Sequence, residues 1–222
     1  GSALLDAMTE LGINAFDTAR VYGQAEESLG RWVESRGNRS QILIETKCCH
    51  PNPLGGKRVS AKKMREDLDK SLNCLRTEYV DLLLLHRDDP KVEVGEIMEA
   101  FNEMHRQGKV RAFGVSNWTH GRIQEANDYA QAHGLTSLAV SSPYFGLADQ
   151  IHDPYGGGGV TLTGKGNAPA RDWYRQNSLP VLTYSSLGRG FFSGRMTHED
   201  QAQAKEFLDV FALRGYNCPA NF

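Results

Sequence analysis

Cysteine is scarce in this chain, four in 222 residues, and long apolar runs are missing altogether. Cys48, Cys49, Cys74 and Cys218 are spaced as neither a zinc ribbon nor a CxxC redox pair, and the seven histidines include no HExxH, so no metal site is expected. The thiols read as reduced and structural, although Cys48 and Cys49 directly follow Lys47, where a cation can favour a reactive thiolate. No apolar stretch approaches the ~20 residues that cross a bilayer, which excludes a membrane-spanning helix. An excess of one charge is lacking too: 25 basic and 27 acidic residues are interspersed, which argues against a nucleic-acid partner. No signal-peptide pattern opens the chain, so a cytoplasmic location is expected. No polar or low-complexity linker interrupts it, and residues 1–222 read as one domain of undetermined oligomeric state.

What is present is a series of short, β-rich apolar runs: INAFD at 13–17, ILIETK at 42–47, VDLLLLH at 80–86 and VRAFGVSN at 110–117. Continuous apolarity marks strands covered on both faces. Helical spacing fills the gaps, most clearly from Ser60 to Leu75, where Met64, Leu68, Leu72 and Leu75 share a face behind Ser60 as N-cap. A second such stretch, Glu93 to Gln107, stops at Gly108, which suits the left-handed residue after a last turn. Two more strand-like runs follow, SLAVSSPY at 137–144 and LPVLTYSSL at 179–187, then an amphipathic segment at about 199–213. The alternation predicts a parallel α/β fold of six strands. It opens on a helix, 3–11, ahead of the first strand, so one unit is expected to lie upstream and another downstream.

Four of the strand-like runs end on a polar residue: Asp17, Lys47, His86 and Asn117. In a parallel α/β barrel the active site is built at the carboxyl ends of the strands. Each such residue alone is explained by a strand reaching water, but together they make a constellation. An ammonium beside a phenol favours the phenolate, so Lys47 next to Tyr22 makes a proton donor, with Asp17 holding the lysine and His86 polarising. This set suits protonation of the oxyanion formed when a carbonyl accepts hydride, and it needs no nucleophile.

The segments FDTARVYG (16–23), ETK (45–47), YVDLLLLHRDD (79–89), GVSNW (114–118) and VLTYSSLGRGFFSGR (181–195) resemble the aldo-keto reductases, in order and over nearly the whole chain. The resemblance implies a (β/α)8 TIM barrel and nicotinamide-dependent reduction of small aldehydes and ketones, with NADPH as the expected cofactor and NADH as the alternative. It places the catalytic tetrad on Asp17, Tyr22, Lys47 and His86, with Tyr22 as general acid. Ser116 and Asn117 match the pair that holds the nicotinamide carboxamide, and Tyr184 the aromatic residue stacked on its ring. Ser185, Leu187, Arg189 and Gly190 fall in the loop beside the cofactor pyrophosphate.

Two departures stand out. The family's carboxamide-holding glutamine aligns with Ser142, a shorter side chain, and the first and last barrel units fall outside the 222 residues, which predicts an incomplete barrel. Gly188, Gly190 and Gly194 form GxGxxxG, one residue too long for the dinucleotide fingerprint, and the absence of YxxxK argues against a short-chain dehydrogenase. Gly156 to Gly159 reads as a flexible loop. Trp118, Phe191 and Phe192 are candidates for either an apolar substrate pocket or packing. The rival reading is a non-catalytic barrel that keeps the family's residues without its reaction.

Overall fold

The computed structural model describes residues 1–52 and 56–222, which form two compact units. The first comprises Gly1–Val115 and Gln124–Ala139. It contains α1 (Ser2–Glu10), β1 (Ala15–Asp17), α2 (Ala25–Arg36), β2 (Leu43–Cys48), α3 (Ala61–Leu75), β3 (Val80–Leu85), α4 (Val94–Arg106), β4 (Val110–Ser116) up to Val115, and the larger part of α5 (His120–Ala132). β1 pairs with β2, β2 with β3 and β3 with β4, always in parallel and in chain order. Each crossover carries a helix. This single direction of winding is the order of a (β/α)8 barrel rather than of a doubly wound sheet, whose strand order reverses midway.

The sequence pattern explains the elements. β3 is buried along nearly its whole length because Val80, Leu83, Leu84 and Leu85 are covered on both faces. α3 begins where the Ser60 side chain accepts from the Lys63 amide, and Met64, Leu68, Leu72 and Leu75 form its buried stripe. α4 buries Ile97, Met98, Phe101 and Met104, and Phe101 stacks on Phe113 of β4 with ring centroids 4.8 Å apart. Gly108 takes φ 73° just beyond α4, as its position predicts. α2 and α3 come so close at Gly30 that an added Cβ would sit 2.3 Å from the Cys74 carbonyl oxygen, so glycine is required there.

The second unit comprises Ser116–Ile123 and Val140–Phe222. Its elements are β5 (Val140–Ser142), α6 (Ala168–Asn177) and α7 (Val210–Tyr216), with a 3-10 segment at His198–Glu206. Tyr144, Ala148, Phe191, Leu208 and Tyr216 make a separate apolar cluster, so Phe191 is packing, whereas Phe192 is exposed.

Two expectations are corrected here. The run 179–187 is not a sixth strand: among the described residues it makes isolated parallel bridges, Ser141 to Val181 and Tyr144 to Tyr184. Pro180 removes a donor at its start, Ser185 turns left-handed at φ 52°, and Val181 and Leu182 are 37% and 42% exposed, so pairing and burial both fail. The amphipathic segment near 199–213 is likewise broken. Thr197 and Asp200 form a capping box on the first piece, and Asp209 starts α7 by accepting from the Ala212 amide. The glycine run at 156–159 folds back on Asp153, whose carboxylate accepts from the amides of Tyr155, Gly157 and Gly159.

Candidate active site

In the first unit, Asp17 ends β1, Lys47 lies next to last on β2, and His86 follows β3 directly, its amide donating to the Cys48 carbonyl. Parallel pairing in register, Asp17 beside Glu45 and Lys47 beside Leu84, brings these positions to one end of the sheet. The Lys47 ammonium is nearly fully buried; it donates to Asp17 Oδ1 and to the Thr18 carbonyl, and lies 3.0 Å from Glu45 Oε1. Burial alone would lower its pKa, but Glu45, Asp17 and Tyr22 outweigh it and hold the pKa above the usual lysine value, so the group stays charged. Tyr22, half-exposed, sets its ring 5.4 Å from the Lys47 ammonium and edge-on to His86, with ring centroids 5.8 Å apart. The four residues of the expected tetrad are therefore neighbours.

In the second unit, Ser116 and Asn117 gather with Ser142 and Tyr184. The Asn117 amide and the Ser116 hydroxyl both donate to the Ser142 backbone carbonyl, at 3.1 and 3.0 Å. It is thus the carbonyl of Ser142 that meets the pair. The Asn117 side chain is buried; its Nδ2 donates to Ser116 Oγ, and its Oδ1 accepts from the Tyr184 hydroxyl at 2.7 Å and the Val160 amide at 3.1 Å. Asn117 adopts φ 61°, a left-handed conformation that asparagine tolerates better than most residues.

The segment after Tyr184 coils tightly. Gly188 donates to the Ser185 carbonyl and Gly190 to that of Leu187, while the Leu187 side chain is exposed. Arg189 is engaged within the unit: Nη2 donates to Asp209 Oδ2 at 2.6 Å and Nη1 to the Tyr155 hydroxyl at 3.0 Å. Trp118 is fully buried and lines a cavity beside the start of α5.

A sequence model described as the Aldo/keto reductase family matches residues 2–217. The chain belongs to that family. Among its curated relatives, aldo-keto reductase YhdN of Bacillus subtilis is 30% identical over 200 residues, covering 87% of this chain and 54% of YhdN. Norsolorinic acid reductase stcV of Emericella nidulans is 37% identical over 148 residues, 62% of this chain and 38% of the relative. An aryl-alcohol dehydrogenase of Phanerodontia chrysosporium whose name specifies NADP(+) is 34% identical over 150 residues, 62% of this chain and 39% of the relative. The chain thus spans about half, or less, of the length of these relatives.

This aldo-keto reductase family member carries two site neighbours that sequence reasoning passed over. Glu45 is a second carboxylate on Lys47, and burial, only partly offset by that lysine, raises its pKa. Its spacing of two from Lys47 was the available signal, since strand residues i and i+2 share a face. His50 packs edge-on against His86 with centroids 4.7 Å apart, a contact set by the turn after β2 that no spacing rule foretells. Cys48 and Cys49 are buried and free, and the neighbouring Cys49 thiol together with burial pushes the Cys48 pKa well up, the opposite of an activated thiolate. No helix of the described residues is long and apolar enough to cross a membrane, and no group of three or more metal-ligating side chains occurs among them.

His86 is held neutral. Burial, reinforced by His50, Lys47 and Arg87, pushes its pKa down from 6.5 to about 2. A histidine whose folded pKa is depressed contributes stability that is fully present above its unfolded pKa of about 6.5 and is lost as pH falls below it, because the unfolded chain takes up the proton. The urea midpoint of the wild type is therefore expected to fall between pH 7 and 4 more steeply than that of His86→Gln. Equal slopes would show that His86 titrates normally in the folded protein.

Proposed function

We propose that this chain carries the catalytic residues of an oxidoreductase that reduces small aldehydes and ketones to alcohols, with NADPH as electron donor. The observation that carries the reading is the buried Lys47 ammonium, held between Asp17 and Glu45 and set against the Tyr22 ring. A cation kept charged at that depth favours the phenolate, so it assists a phenol that gives up its proton. The bound nicotinamide supplies hydride to the carbonyl carbon. Tyr22 protonates the carbonyl oxygen, Lys47 stabilises the resulting phenolate, and the two carboxylates keep Lys47 charged and oriented. His86, neutral, donates a hydrogen bond that orients the carbonyl. Being half-exposed, Tyr22 regains its proton from solvent.

The donor set of Ser116, Asn117 and Ser142 fits a carboxamide, since a buried side-chain amide beside hydroxyls offers both donors and acceptors. We assign those residues to the nicotinamide carboxamide, the Tyr184 ring to the nicotinamide face, and Ser185, Leu187, Arg189 and Gly190 to the pyrophosphate side. For Arg189 to meet phosphate it must give up Asp209 or share it. The NADP(+) in the name of one relative supports NADPH over NADH, and the same relative's aryl-alcohol name supports aromatic carbonyls as the first substrates to try.

The test is a fluorescence titration with NADPH and with NADH, followed by loss of the reduced-nicotinamide absorbance on adding aromatic and aliphatic aldehydes. Tighter binding of NADPH and turnover of an aromatic aldehyde are expected. A folded chain that binds NADPH and turns over no carbonyl would support the non-catalytic reading instead.

A further inference from the structure

The first unit holds a buried carboxylate that the reaction above does not use. Glu26, in the first turn of α2, is 1% exposed. Its two oxygens accept from different places, Oε1 from the Thr46 hydroxyl at 2.6 Å and Oε2 from the Arg20 guanidinium. Taking a carboxylate out of water is costly, and a buried ion pair is a weak source of net stability. Its best-attested use is to fix one geometry.

What Glu26 fixes follows from where its partners stand. Arg20 lies two residues before Tyr22 on the loop between β1 and α2, and its guanidinium also donates to Cys74 Sγ of α3 at 3.2 Å. The Arg20 amide donates to the Lys47 carbonyl at 3.1 Å, and the Tyr22 amide to the Ala19 carbonyl at 2.9 Å. Thr46 directly precedes Lys47 on β2, and alternation along the strand puts the two side chains on opposite faces. Glu26 thus ties the loop that carries Tyr22 to the strand that carries Lys47, from the face that α2 covers. Tyr22 is 47% exposed, so packing holds only part of it, and the loop must set its ring 5.4 Å from the ammonium.

We infer that Glu26 is a positioning residue for the Tyr22 and Lys47 pair, setting their separation through Arg20 and Thr46. The catalytic consequence rests on the reductase reading above; the placement of the phenol does not. Removing the Glu26 charge has two effects of opposite sign. Through space, loss of a negative charge lowers the pKa of a phenol, whereas loss of placement widens the gap to the ammonium and raises it. Lys47 and His86 face the Tyr22 ring, and Asp17 and Glu45 pair with Lys47; Glu26→Gln removes none of them.

The experiment is a titration of phenolate absorbance in the chain without nicotinamide, with the same titration of its Tyr22→Phe counterpart subtracted to isolate Tyr22. In Glu26→Gln, which keeps the side chain's size, the Tyr22 titration is expected to move up by about half a pH unit or more. Thr46→Val, which strands one oxygen, should move it the same way by less, and Thr46→Ser, which keeps the hydroxyl, should return it to the wild-type value. With NADPH and an aldehyde, kcat of Glu26→Gln should fall about tenfold or more at unchanged KM. Combined with Tyr22→Phe, the same change should lower kcat by less than about twofold. A Tyr22 titration unmoved or lowered in folded Glu26→Gln overturns the inference, as does an equal loss of kcat with and without Tyr22→Phe. Should Glu26→Gln not fold, an unmoved titration in Thr46→Val overturns it instead. A wild type that turns over no carbonyl removes the reductase reading and leaves the titration to decide the role of Glu26.

Discussion

Tyr22→Phe is expected to lower kcat for carbonyl reduction by about 10²–10⁴-fold, with the affinity for NADPH and the thermal midpoint unchanged. The substitution removes one hydroxyl. The ring's edge contact with His86 and its place over the Lys47 ammonium both survive, so neither packing nor the charge on Lys47 changes much. What is lost is the proton that must reach the carbonyl oxygen, an interaction made as the reaction proceeds, and such a loss appears in kcat rather than in KM. Steady-state kinetics on both proteins checks this. Wild-type turnover in Tyr22→Phe would remove the phenol from the mechanism and leave the buried lysine without a catalytic purpose.

Asp67→Ala is expected to lower folding stability by about 3 kcal/mol, near the lower end for breaking a buried ion pair. Asp67 is 2% exposed on α3. It accepts two hydrogen bonds from Arg58, at 2.8 and 3.0 Å, and a third from the Cys49 amide at 2.9 Å. Alanine strands that amide and leaves the guanidinium, itself only partly exposed, without its partner. The position also bears on the site. Cys49 is held at φ 60° two residues beyond Lys47, and a left-handed non-glycine residue persists only where its surroundings fix it. Urea unfolding of the variant reads the effect, and Asp67→Asn, which keeps one acceptor, should fall between the two. A midpoint equal to wild type would show that the Arg58 and Cys49 contacts contribute no net stability.

Much of the first unit is written in its sequence, because its signals are local and repeated. Continuous apolar runs gave β2, β3 and β4, the Met64 to Leu75 stripe and the Ser60 cap gave α3, and the strand ends gave Asp17, Lys47 and His86. The roles of these residues came from joint chemistry and from the family's motifs. Glu45 was legible in principle, since alternation along a strand puts it on the face of Lys47. His50 was not, because its contact with His86 depends on the path of a turn.

The second unit was harder to read for a physical reason. Its order depends on pairings distant in sequence, such as Arg189 with Asp209 and Tyr144 with Tyr184. Pattern rules see only neighbours. The run 179–187 has strand composition, yet Pro180 and the left-handed Ser185 bound it so tightly that only bridges form. The break near 208 was visible as Asp209, an N-cap residue ahead of Val210, but the apolar periodicity on either side of it masked the signal.

The measurement that tests the central claim most directly is reduction of an aromatic aldehyde by this chain with NADPH deuterated at the transferable C4 position, followed by mass and NMR analysis of the alcohol. The account predicts one deuterium on the carbinol carbon in the wild type and little labelled alcohol from Tyr22→Phe in the same time. Alcohol formed without deuterium at that carbon, or labelled equally fast by Tyr22→Phe, would contradict it.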